Sequence, residues 1–161
     1  MAVAATAEEI LETWLRATAG SYPAETARHL LDEPDPFRNP VGTAMRETLP
    51  VLLDAVLDRV PFDAASAPLE RLIRIRAMQD FTPGQAVAFL LNLIPLLRES
   101  HSSDAVRIET EDRIHRLALA AFDKYAACRE QAHAIQLKEL RRRTYVLDRL
   151  GVQRACREPE E

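Results

Sequence analysis

Three observations predict an all-α fold. Apolar residues make up 47% of the 161 residues with only 4 glycines, and few segments alternate with the period of two that a strand needs. Threonine followed three residues later by Glu or Gln, the pattern that starts a helix, occurs at Thr6–Glu9 and at Thr82–Gln85. After the polar linker Ser100–Asp104 no glycine or proline occurs until Gly151, so one helix of more than forty residues, about 60 Å long, can form there.

The first helix begins at Thr6, turns Ile10, Leu11, Trp14 and Ala17 inward, and stops at Gly20-Ser21. Pro23 opens a short helix to about Leu31, with Leu30 and Leu31 facing the core. The three prolines of the segment DEPDPFRNP (32–40) exclude regular structure across most of it. Asn39 then caps a helix that has Pro40 at its first position and buries Met45, Leu49, Leu52, Leu53 and Val56 as far as Leu57. Pro50 inside it predicts a kink or a split. Pro61-Phe62-Asp63 turns the chain, and Ser66 or a neighbour is expected to cap the next helix.

The stretch Leu69–Glu99 reads as a helix hairpin at the centre of the molecule. Leu69, Leu72, Ile73, Arg76, Gln79 and Asp80 share one arc of its first helix, which sets Arg76 and Asp80 one turn apart in an apolar face, where they are expected to pair. The Thr82-Pro83-Gly84-Gln85 corner opens a second helix carrying Val87, Leu90, Ile94 and Leu97, widened by Phe89 and Leu93. In the long last helix, Ile114, Leu117, Ala121, Tyr125, Cys128, Ala132 and Ile135 form a stripe that shifts to Leu140, Leu147 and Leu150. Its first half is expected to pack on the domain. Its second half, with Lys138, Arg141, Arg142 and Arg143, is expected to project and pair with another chain. This divides the chain into a body (1–135) and an extension with a disordered tail (136–161).

A net charge of −4 and a pI near 5.6 argue against nucleic acid as a partner. Cys128 and Cys156 form no CxxC and no disulfide framework, as suits a reducing cytoplasm. The start MAVAATAEEI lacks a signal-peptide pattern, and the apolar run Ala86–Leu97 is too short for a transmembrane segment.

Two sets of residues attract a functional reading. Arg76, Gln79 and Asp80 form either a structural ion pair or the polar floor of a pocket for a small anionic or polar ligand. Thr82 is expected beside them, with Phe37 and Asn39 of the proline-rich loop nearby. No Gly-rich phosphate loop and no Ser/His/Asp set is present, so no catalytic residue is assigned and no cofactor is expected. Asp112-x-x-His115 and Glu130-x-x-His133 match the spacing of di-iron bundles, the alternative being a metal- or haem-binding, redox-active bundle. On one straight helix the two motifs lie about 27 Å apart, so they share a metal only if the helix breaks or two chains cross.

Tyr22-Pro23, DPFRNPVG (35–42), IRIRAMQDFTPGQAVAFL (73–90) and AFDKYAACRE (121–130) occur in this order. Together they resemble the N-terminal domain of RsbRD-type co-antagonists of bacterial stressosomes, over most of residues 6–145. The resemblance implies a globin-like bundle of about six helices without haem, with a long C-terminal helix. It also implies a homodimer formed through that helix, which signals to a regulatory protein partner. The family's C-terminal STAS domain has no counterpart here, so a free-standing, non-enzymatic sensory module is expected. Gly84, Pro50 and Pro95 depart from the family pattern.

Overall fold

The computed structural model describes residues 6–98 and 103–155. Among them are α1 (Ala7–Ala19), α2 (Ala24–Asp32), α3 (Pro40–Val56), a 3-10 turn (Phe62–Ala65), α4 (Ser66–Ala77), α5 (Pro83–Leu91), α6 (Leu93–Arg98) and α7 (Asp104–Ala155), with no strand. The expectation of an all-α bundle of about six helices with a long last one holds, with seven α-helices among the described residues. The expected disordered tail at 157–161 lies outside the described residues.

Local chemistry accounts for the starts. Thr6 with Glu9, and Thr82 with Gln85, form complete capping boxes in which side chain and backbone exchange hydrogen bonds. The buried Asn39 caps α3 by accepting from the Gly42 amide at 2.8 Å. Its amide nitrogen donates to the carbonyls of Leu30 (3.0 Å), Glu33 (2.9 Å) and His29 (3.2 Å), so one side chain starts α3 and closes α2. Gly42 is required at this crossing. A Cβ there would lie 2.3 Å from the Asn39 side chain and 2.5 Å from the Leu30 carbonyl oxygen.

The core is one continuous cluster in which α3 and α4 contribute Met45, Leu49, Leu52, Leu69, Leu72 and Ile73, each at most 1% exposed. Trp14 of α1 stacks on Phe89 of α5 and donates its indole N–H to the Phe89 carbonyl at 2.6 Å. The long α7 closes the bundle with Ile114, Leu117, Ala121 and Tyr125.

Helix ends follow a rule that the sequence did not disclose. Arginines from elsewhere in the fold donate to the last-turn carbonyls of four successive helices. Arg76 reaches Thr18 of α1 at 3.3 Å, and Arg46 reaches Leu30 and Leu31 of α2 at 2.8 and 2.7 Å. From α7, Arg113 reaches Ala55 of α3 at 3.4 Å and Arg129 reaches Ala77 of α4 at 3.3 Å. A cation there satisfies orphan carbonyls and meets the negative end of the helix dipole.

Several expectations are corrected. Ala17 is exposed, and Thr18 and Ala19 are buried in its stead. No side chain caps α4. Pro50 does not split α3, which runs unbroken through it. The buried leucines on either side hold the helix against a local cost of about 3 kcal/mol. Pro95 is the proline that breaks a helix. Its ring would collide with the carbonyl of Leu91, and α5 ends at Leu91 before α6 restarts at Leu93. On α7 the buried stripe ends earlier than expected, since Ile135 is 63% exposed.

The long helix itself is as expected. It spans 52 residues, about 78 Å, and residues 133–146 are exposed all round. Among the described residues, no helix is long and apolar enough to cross a membrane.

Candidate functional site

The expected Arg76–Asp80 ion pair is absent. Pairing at that spacing requires the helix to continue to Asp80, whereas α4 ends at Ala77 with Met78 as its cap. Asp80 therefore leaves the apolar arc and is exposed, while Arg76 stays fully buried at 0% exposure.

The partners of Arg76 are all neutral. Nη1 donates to the carbonyl of Gln85 at 3.2 Å and more loosely to that of Ala86 at 3.5 Å. Nη2 donates to the Thr18 carbonyl at 3.3 Å and to Ser21 Oγ at 3.1 Å. Three aromatic rings surround the guanidinium, with centroids at 4.8 Å (Phe89), 4.9 Å (Phe81) and 5.7 Å (Tyr22). Nε has no hydrogen-bond partner. This caged cation joins the end of α1, the end of α4 and the start of α5. Burial pulls its pKa down, and burial pushes the Tyr22 phenol up, with the nearby Arg76 charge opposing the latter.

On the outer side of the cage lies a cleft of about 360 Å³ walled by Ser21, Tyr22, Pro23, Gln79, Asp80, Phe81 and Gln85. Tyr22 and Phe81 meet edge to face at 4.9 Å, and the Tyr22 hydroxyl donates to Gln79 Oε1 at 2.9 Å. The structure thus brings Gln79 and Asp80 to one cleft with Arg76 directly behind it. Thr82 caps α5 beside the cleft but does not line it. Gly84 has open space around it, so nothing packed there requires glycine.

Phe37 and Asn39 do not join the site. Phe37 is 96% exposed on its loop, and Asn39 is engaged at the α2–α3 crossing. The proline-rich segment folds back on the end of α2 through Asn39, which takes it out of the cleft. Ser21, Tyr22 and Phe81 are wall residues that side-chain pattern alone did not single out. Tyr22 and Phe81 do fall inside the family-like blocks, and that was the available signal.

The metal alternative gains nothing from the fold. Helix α7 is unbroken, so Asp112 with His115 and Glu130 with His133 remain about 27 Å apart, and both histidines are exposed. Among the described residues no group of three or more His, Cys, Asp or Glu side chains could hold a metal ion. The hollow beside Glu130 and His133 is bounded by α7 residues alone and has no second wall.

The corner is tied to α7 on both sides of the α4–α5 turn. The Tyr125 hydroxyl donates to the Phe81 carbonyl at 2.6 Å, and Arg129 donates to the Ala77 carbonyl at 3.3 Å. Tyr125→Phe is expected to lower stability by about 1 kcal/mol, because it leaves the Phe81 carbonyl without this donor. Urea unfolding measures the loss, and a larger shift in hydrogen exchange at residues 78–82 than elsewhere would localise it.

These features define an all-helical domain whose polar corner is fastened to a long, half-projecting helix. The chain belongs to the family described as the RsbT co-antagonist protein rsbRD N-terminal domain, whose model matches residues 8–140. No curated protein and no solved structure matches it.

Proposed function

We propose that the domain is a non-enzymatic regulatory module that acts through protein–protein contact, passing the state of the α4–α5 corner along α7 to a partner. The observation that carries this reading is the pair of hydrogen bonds from Tyr125 and Arg129 to the two flanks of that corner. A displacement of Phe81 or Ala77 is felt by α7 through these bonds, and residues 133–146 of α7 stand free of the bundle. Family membership supports a stressosome-associated role, with a globin-like body and a cytoplasmic setting as its further parts.

The partner nearest to hand is a second copy. Ile135 (63%), Leu137 (44%), Leu140 (58%), Tyr145 (61%) and Val146 (48%) are exposed on the projecting half, which a second helix would cover in part. The full chain is expected to sediment as a dimer, and a chain ending at residue 135 as a folded monomer. A full-length monomer across the micromolar range, or turnover of any substrate, would overturn the reading.

A further inference from the structure

We propose that the cleft beside the α4–α5 corner binds a small organic carboxylate with an apolar body, and that Arg76 recognises it from behind the wall. The inference deepens the regulatory reading above and rests on it, since it names the class of signal the corner takes.

The charge on Arg76 is unmet. Its guanidinium is permanently protonated and fully buried, and no carboxylate lies within ion-pair distance of it among the described residues. The end of α1 offers only a partial negative charge, about half of one unit. The Nε–H has no acceptor at all. Net positive potential is left at this point, and burial keeps it from being screened.

That potential is directed at the cleft. Ser21, Tyr22, Phe81 and Gln85 are wall residues, and each is a direct partner of the guanidinium. The cation therefore sits one side chain behind the surface that a ligand would touch. Ser21 Oγ accepts from Arg76 and donates to the Thr18 carbonyl at 2.6 Å, so its hydroxyl can turn outward to a carboxylate oxygen while Arg76 stays bonded behind it. The rings of Tyr22 and Phe81, with Pro23, give an apolar wall for the body of the ligand. Asp80 is the one opposing charge in the wall, and its exposure weakens its repulsion without removing it. A ligand seated here presses on Phe81, whose carbonyl holds Tyr125 of α7.

The test uses three probes of one shape, benzoate, benzyl alcohol and benzylammonium, titrated calorimetrically into the full chain. Saturable benzoate binding is expected, at least about tenfold tighter than either other probe. Asp80→Asn, a change at an exposed side chain that spares the fold, is expected to tighten benzoate severalfold. Ser21→Ala is expected to weaken it severalfold. Preference for benzylammonium, weaker benzoate binding in Asp80→Asn, or no saturable benzoate binding to the folded chain would each overturn the proposal. A chain that ignores benzoate yet loses its dimer on truncation at residue 135 would sink this inference and leave the regulatory reading standing.

Discussion

Arg76→Ala is expected to lower the unfolding free energy by about 3–5 kcal/mol, a large-to-small cavity in the core added to several lost hydrogen bonds. For a chain of this length that is a fall in Tm of roughly 10 °C. The loss has two parts. The truncated side chain leaves a void among Tyr22, Phe81 and Phe89, and it removes the charged donor that the carbonyls of Thr18 and Gln85 share. Arg76→Met separates them, because it fills most of the space but restores no hydrogen bond. About 2 kcal/mol should still be lost in that variant. Arg76→Lys should fall short as well, since one ammonium cannot span both the end of α1 and the start of α5 as a planar fork does. Thermal and urea unfolding of the three variants supply the comparison. An Arg76→Met chain as stable as the parent would show that the buried cation contributes nothing to the fold.

Gly42→Ala is expected to cost about 2–4 kcal/mol, an unusually large effect for adding one methyl group. The new carbon would meet the Leu30 carbonyl oxygen, which is backbone, and the Asn39 side chain, which is held by four hydrogen bonds. Neither can step aside without opening the α2–α3 crossing. Asn39→Ala should cost a similar amount, about 2–3 kcal/mol, by removing a cap and leaving the Glu33 carbonyl at the end of α2 without its donor. If Gly42→Ala unfolds at the same urea concentration as the parent, the crossing has slack that these distances do not allow.

Much of this architecture could be read from residues. Capping chemistry is local, so Thr6, Asn39 and Thr82 marked true helix starts. The absence of Gly and Pro beyond the linker foretold α7. The NPVG motif, noticed first as a family likeness, proves to have a steric reason in the Asn39–Gly42–Leu30 contact. Helix stops were less legible, because they depend on which carbonyls find donors from distant arginines. The end of α4 at Ala77 was missed for this reason, and with it the fate of Asp80. Arg76 was singled out correctly as a buried charge but given the wrong partners. Its acceptors are backbone carbonyls on α1 and α5, and backbone carbonyls leave no trace in a side-chain pattern.

The two fastenings on α7 also fix where it can pivot. Tyr125 and Arg129 hold it at a fulcrum, and the rod beyond is a lever whose arm to Val146 is about 32 Å. Tilting such an arm by roughly five degrees swings its far end by about 3 Å, close to the width of a side-chain contact. Under the proposed regulatory reading, a small adjustment at Phe81 is thereby magnified into a change of register against whatever grips the tip.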